Sequence, residues 1–288
     1  MTTPATPAGD PPPADRGTAA LVARLRAAGC VFAEDEAALL LEAARAAGVV
    51  DAERLEELVA RRVSGEPLEH LLGWVEFAGR PWSVGPGVFV PRRRTELMVA
   101  AALALPAPAT VALPAPATVL DLCCGCGAVG GAVLLGLRAA DAAPVLHASD
   151  VEPAAVVHAR RNLEPLGAVV HEGDLLDAVP GDLRGRVDLL LCNAPYVPTT
   201  AIATMPPEAR DHEPAVALDG GSDGLGVLRR VVAAAPGWLA PGGSLLFEVG
   251  TDQVPGATAL VESHGLRPAV VTDDDAGGTV VVATLSAR

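Results

Sequence analysis

The sequence predicts an α/β protein: an open, mostly parallel seven-stranded sheet with an antiparallel C-terminal strand, preceded by a small helical bundle and a β-hairpin linker. Three observations carry this. From Thr118 onward, short apolar runs ending in Gly, Asp or Asn alternate with helical patterns, the signature of βαβ units. The run Leu189 to Cys192 is apolar at every position, as a central strand covered on both faces should be. The last two apolar segments, Arg267 to Val271 and Thr279 to Leu285, are joined by Asp273-Asp-Asp-Ala-Gly-Gly278, so the sheet should finish as a hairpin.

Composition removes several classes of function. The 288 residues carry a formal charge of −14, and every basic residue is Arg. Without Lys there is no P-loop lysine, Schiff base or lysine general base. The net charge repels phosphate backbones, so a broad nucleic-acid groove is not expected; the one basic cluster is Arg92-Arg93-Arg94. The first residues are rich in Pro, Ala and Thr and lack a basic-then-apolar signal, and no stretch reaches membrane-spanning length. A cytoplasmic protein is expected. The five cysteines read as reduced thiols; Cys123, Cys124 and Cys126 lack a second ligand pair at metal-binding spacing, so no metal is expected.

In chain order, residues 1–15 read as a disordered tail. Residues 16–73 read as a helical substrate-recognition domain with helices over Thr18 to Ala28, Glu34 to Ala47 and Asp51 to Val63, stopped by Gly29, Gly48 and Gly65. Residues 74–90 form the hairpin linker, and 91–288 the main α/β domain. Leu105 to Ala112 recurs almost letter for letter as Leu113 to Leu120, a linker duplication to which no function is assigned. Thr118 to Leu122 then enters a glycine turn with Gly125 and Gly127. Asp121 on that strand would repel a pyrophosphate but suits a cation, which favours S-adenosylmethionine over NAD. Asp150, ending the second strand, can accept both hydroxyls of a ribose. After Gly173, Asp174 can accept from an adenine amino group while Leu175 packs on the ring. Each acid taken singly could equally be a helix cap; their recurrence at successive strand ends argues for a ligand.

The chain is organised around Asn193-Ala194-Pro195-Tyr196, at the end of the most apolar strand. Pro195 biases Ala194 to extended geometry, so the Asn193 side chain and the Ala194 carbonyl can point the same way beside the Tyr196 ring. Two acceptors next to an aromatic face suit a planar NH2 group. The competing reading is a strand-end turn with an Asx cap. Thr199 to Asp219, with little periodicity, reads as a partly ordered loop over the site.

These segments resemble the release-factor glutamine N5-methyltransferases, the HemK/PrmC family within the class I, Rossmann-like, S-adenosylmethionine-dependent methyltransferases. The resemblance runs from about Thr18 to the C-terminus. It rests on Gly65-Glu-Pro-Leu-Glu-His-Leu-Leu-Gly73, Pro91-Arg92 with Thr95-Glu96, Val119-Leu-Asp-Leu with Gly125 and Gly127, Gly173-Asp174, Asn193-x-Pro-Tyr196, Glu213-Pro214, Asp223-Gly-Leu225 and Phe247-Glu-Val-Gly250 with Gln253. It implies that Asp121, Cys123, Gly125, Gly127, Asp150, Asp174, Leu175 and Asn193 face the cofactor. It further implies that Asn193, Ala194, Pro195 and Tyr196 form the catalytic corner, and that Arg92, Thr95, Glu96 and Glu213 join Asn193 and Tyr196 at the substrate. The expected activity is methylation of a protein glutamine, that of the Gly-Gly-Gln motif in a peptide-chain release factor, by a monomer. Three positions depart from the family pattern: Ala194 for the first proline, Cys123 for a small glycine, and Arg93-Arg94 for a Pro-acid pair. They keep open a paralogue acting on another protein or a small amide. An adenine-N6 methyltransferase with the same corner and a non-catalytic binding module compete with both.

Overall fold

The computed structural model describes residues 13–105, 117–140 and 142–287; the tail up to residue 12 and most of the duplicated linker, 106–116, lie outside them. Two compact units divide the chain after Leu72. Among the described residues no helix is long and apolar enough to cross a membrane.

The first unit contains α1 (Pro13–Ala27), α2 (Ala33–Ala43), β1 (Arg45–Ala46), β2 (Val49–Val50), α3 (Ala52–Val63) and α4 (Leu68–Leu72). Leu21, Leu25, Leu40 and Leu58 meet in its core. Helix α1 starts earlier than the sequence suggested, because Pro13 is pre-set for a first helical position. Helix α2 stops at Ala43, short of the expected Ala47. Ala47 and Gly48 instead turn with φ of 51° and 85°, folding β1 onto β2. Asp51 caps α3 by accepting from the Glu53 and Arg54 amides.

The second unit opens with a hairpin, β3 (Trp74–Phe77) and β4 (Arg80–Ser83), followed by α5 (Glu96–Ala104). Five parallel strands come next: β5 (Thr118–Leu122), β6 (Val145–Asp150), β7 (Val169–Glu172), β8 (Val187–Cys192) and β9 (Leu239–Glu248). Between them run α6 (Ala128–Ala139), α7 (Pro153–Leu163), α8 (Pro207–His212) and α9 (Gly226–Ala234); α10 (Val254–Ser263), β10 (Arg267–Asp273) and β11 (Gly278–Thr284) finish the chain. The sheet order is β10-β11-β9-β8-β5-β6-β7, with β11 antiparallel to both of its neighbours. The predicted seven-stranded sheet is therefore present, and its hairpin inserts the last strand between β9 and β10. All six residues of β8 are buried, which is why its sequence does not alternate. The ordered part of the loop expected over Thr199 to Asp219 includes α8, started by Pro207 at its first turn. Pro241-Gly-Gly243, which as a sequence reads as a turn before a strand from Ser244, lies inside β9, an irregularity where pairing jumps from Val187↔Leu239 to Leu189↔Ser244.

Strand order reverses between β5 and β8. Their C-terminal ends lie side by side, with Leu122 opposite Cys192, and a crevice at such a switch point is where open α/β sheets bind ligands. Helix α6 approaches closely because it carries glycines. A Cβ on Gly131 would lie 2.4 Å from the Trp82 ring, which cannot retreat because its Nε1 donates to the Phe77 carbonyl at 3.0 Å. Gly131→Ala is therefore expected to destabilise the fold by about 2 kcal/mol despite its better helix propensity, read as a lower urea midpoint.

Candidate active site

A cleft opens at the switch point. Its walls include Asp121 and the Cys123-to-Cys126 turn, Asp150, Asp174-Leu175, the Asn193-to-Tyr196 corner, and Arg92 with Arg94. The structure thus brings together the residues that the sequence placed at separate strand ends, because parallel strands deliver all their C-terminal ends to one edge.

On the glycine-turn side, Asp121 is 1% exposed and its Oδ2 accepts from the Gly130 amide at 2.9 Å. Gly130 must be glycine, since a Cβ would sit 2.7 Å from that oxygen. Burial, with the Asp150 charge as a minor cause, pushes the Asp121 carboxyl from an ordinary 3.8 up to about 7. Asp150 is held by two backbone donors, Gly125 N to Oδ2 at 2.8 Å and Glu152 N to Oδ1 at 2.9 Å. Each of its oxygens keeps further acceptor capacity. Burial raises its pKa too. Gly125 has φ 55°, and a Cβ there would meet nothing within 4 Å, so the turn offers open backbone to a ligand. Cys123 adopts φ 51°, the left-handed region glycine favours, at a cost of roughly 1–2 kcal/mol. The Cys192 thiol and burial push the Cys123 thiol pKa well up, so it is no nucleophile at neutral pH.

Asp174 differs from expectation. It is exposed and ion-paired with Arg230, whose two terminal nitrogens reach its oxygens at 3.1 and 2.6 Å. An adenine amino group would have to share that carboxylate. Leu175 has φ 50° and borders the cleft beside it.

The corner on the other side is held from outside and left free within. The Gln253 side chain donates to the Tyr196 and Asp223 carbonyls, both at 2.9 Å, and accepts from the Gly250 amide at 2.8 Å. Gly224 allows this closeness: a Cβ there would lie 2.1 Å from the Tyr196 carbonyl oxygen. The Asn193 side chain and the Ala194 carbonyl have no hydrogen-bond partner among the described residues. An Asx cap would have engaged the Asn193 oxygen with nearby backbone, so that reading has no support in the structure.

Tyr196, by contrast, is locked. Its hydroxyl donates to Glu248 Oε1 at 2.6 Å and accepts from Arg94 Nη2 at 2.9 Å. Arg94 Nε also donates to Glu248 Oε1 at 2.9 Å, and Thr95 Oγ1 donates to Oε2 at 2.6 Å. Burial and the Glu248 charge push the Tyr196 pKa upward, so the phenol stays protonated. Thr95, expected at the substrate, is 1% exposed and spends its hydroxyl on Glu248. Glu96, also expected there, accepts from the Ala78 amide at 3.1 Å and steadies the hairpin turn, where Ala78 has φ 51°. Arg92 and Glu213 pair with each other at 2.6 Å, and Glu213 also accepts from the Val90 amide. Its second oxygen is buried without a partner among the described residues.

Glu248, Arg94 and Gly130 were missed as functional residues. Glu248 ends an apolar strand beside β8, so the rule that singled out Asp150 would have found it. Glu248→Gln is expected to lower kcat about tenfold with cofactor affinity unchanged. The amide offers one acceptor oxygen to three donors, and the Tyr196 ring loses its fixed hold. Single-turnover rates beside a cofactor titration check this.

Comparison with known proteins fits this geometry. The profile of the Methyltransferase small domain family matches residues 98–206. A methyltransferase structure from Pyrococcus furiosus aligns over 82% of this chain and all of its own, with a TM-score of 0.50 at 14% identity, a likeness of fold. A release factor glutamine methyltransferase from Geobacter sulfurreducens is 39% identical over 76% of this chain and 73% of its own length. A 4-amino-L-phenylalanine/4-methylamino-L-phenylalanine methyltransferase from Streptomyces pristinaespiralis is likewise 39% identical, over 74% of this chain and 70% of its own. With a parallel sheet, a glycine turn and an Asn-x-Pro-Tyr corner at its switch point, and relatives of this similarity over most of its length, the chain belongs to the release factor glutamine methyltransferase family.

Proposed function

We propose that the protein transfers a methyl group from S-adenosylmethionine to the side-chain amide nitrogen of a protein glutamine, that of the Gly-Gly-Gln motif in a peptide-chain release factor. The observation that carries this reading is the pair of unengaged acceptors, the Asn193 side-chain oxygen and the Ala194 carbonyl, at the end of β8 beside a fixed aromatic ring.

The cleft suits the methyl donor. Its glycine-turn side is lined by carboxylates and open backbone, with Asp121 suited to a cation and Asp150 to a ribose diol, and Gly125 leaves the space a side chain would fill. When bound, S-adenosylmethionine supplies an electrophilic methyl on a cationic sulfur. Asp174 and Leu175 are assigned to its adenine, with Arg230 holding the carboxylate in place.

The residues of the corner do the rest. An amide nitrogen is a poor nucleophile because its lone pair is delocalised into the carbonyl. Asn193 and Ala194 would accept its two N–H bonds and hold the lone pair toward the methyl carbon, while Tyr196 and Pro195 cover the amide plane. This is orientation and electrostatic stabilisation without a general base. With the donor's S–C bond exchanged for the new N–C bond, the one proton the nitrogen sheds would pass to water, since neither Asn193 nor the Ala194 carbonyl is a base. Thr95 and Glu248 act through Tyr196. The helical unit is assigned to gripping the acceptor protein, supported by exposed Val31 and Phe32 on its surface.

The test is methyl transfer from labelled S-adenosylmethionine to purified release factors, followed by mass spectrometry of the Gly-Gly-Gln peptide. Label on that glutamine supports the reading. Cofactor binding without label on any amide would overturn it. One observation favours a second acceptor class, an amino acid like that of the Streptomyces pristinaespiralis relative: Arg92, Arg93 and Arg94 follow one another beside the corner, and two of them border the cleft.

A further inference from the structure

The Arg94 guanidinium is half used. Its Nε–H and one Nη2–H go to Glu248 and the Tyr196 hydroxyl, both from the same edge of the planar group. Arg presents five N–H donors in a fixed fork. The opposite edge, Nη1 with the outer hydrogen of Nη2, has no partner among the described residues. Glu248 is buried at the end of β9, so planarity turns this second edge away from the core. Arg94 borders the same cleft as Asn193 and Tyr196, and its side chain is 42% exposed.

Arg92 pairs with Glu213 and Arg94 with Glu248, so what this wall offers is the set of N–H donors left over on Arg94, at the cleft of a chain whose formal charge is −14. An anionic acceptor repelled by the rest of the surface would find its complement here. Two parallel N–H donors on a planar cation match a carboxylate better than any neutral group.

We propose that the free edge of Arg94 binds a carboxylate carried by the methyl acceptor, anchoring it while its NH2 group rests on Asn193 and Ala194. The substrate class is then an amide or amine bearing a carboxylate, supplied either by a free amino acid or by an acidic residue next to the glutamine in a protein. This rests on the proposed transfer to an amide-like nitrogen and narrows its acceptor.

Two probe pairs separate the sources. One is 4-amino-L-phenylalanine against its carboxamide. The other is the peptide acetyl-Gly-Gly-Gln-Glu-amide against acetyl-Gly-Gly-Gln-Gln-amide. For each pair, kcat/KM is measured, together with the Kd for the protein bound to S-adenosylhomocysteine, so that a variant without turnover still reports. In the unmodified protein the carboxylate member is expected to be favoured about tenfold in at least one pair. In Arg94→Gln the two members should become equal, whatever the overall loss. The pair that shows the preference names the source of the carboxylate. Ratios near one in both pairs, or a preference that survives Arg94→Gln, would overturn the proposal. So would labelling of intact release factor with no transfer to either carboxylate probe. Cofactor binding with no transfer to release factor or to any probe would remove the amide-transfer reading, and this inference with it.

Discussion

Asn193→Ala is expected to reduce turnover by at least about a hundredfold while cofactor affinity stays within a few fold. The Asn193 oxygen makes no bond among the described residues, so removing it leaves no orphaned partner there and should not disturb β8, whose six residues are buried. What is lost is an acceptor that matters most as the nitrogen gains positive charge, and such an interaction acts on kcat more than on binding. Asn193→Asp keeps an acceptor oxygen and should lose less. Rapid-quench turnover and a cofactor titration on both variants decide the point. If cofactor affinity fell as far as turnover, Asn193 would belong to the cofactor pocket and the acceptor role assigned to it would be wrong.

The contrast between Asn193 and Tyr196 explains why the corner works as a unit. Tyr196 is fixed by Glu248, Arg94 and, through Glu248, by Thr95; its backbone carbonyl is fixed by Gln253. Three of the motif segments scattered through the sequence, those with Thr95, Asp223 and Glu248 with Gln253, meet as the clamps of this one corner. Thr95 and Glu96 show where sequence reasoning assigned contact to what is support. A motif marks residues that must be present, and a buried hydroxyl holding a carboxylate that holds a phenol is as necessary as a group touching substrate.

The fold was largely legible because parallel strands leave strong traces. Leu189 to Cys192 is apolar throughout, and Asp150, Gly173 and Asn193 each stand where a strand ends. The less legible parts depend on partners distant in sequence. Ala43 to Gly48 reads as the end of a helix until Val49 and Val50 fold back to pair with it. Glu248 lies 52 residues from the hydroxyl it holds and 153 from Thr95, so no local spacing could reveal the network. Asp174 carries the same limit, since its partner Arg230 sits on α9.

Asp121 sets the second large effect, on cofactor and stability together. Its folded pKa of about 7 lies above the ordinary 3.8, so its contribution to stability is full below about pH 4 and is lost as pH rises through 7. Above that pH the free protein carries a buried, ionised carboxylate with one backbone donor, at a cost on the order of 4 kcal/mol. A cationic ligand reverses this by stabilising the ionised form, so cofactor affinity should rise from pH 6 to pH 8 and then level off. Asp121→Asn keeps an acceptor for the Gly130 amide and removes the charge. It is expected to raise the stability of the cofactor-free protein by roughly 4 kcal/mol at pH 8 and by only about 1.5 kcal/mol at pH 5, and to weaken cofactor binding about a hundredfold at pH 8 with its pH dependence flattened. Urea unfolding at the two pH values beside cofactor titrations from pH 6 to 8 tests both halves. A variant that binds cofactor as well as the parent would show that the Asp121 carboxylate supports the glycine turn alone. One destabilised equally at both pH values would show that its charge is not what strains the fold.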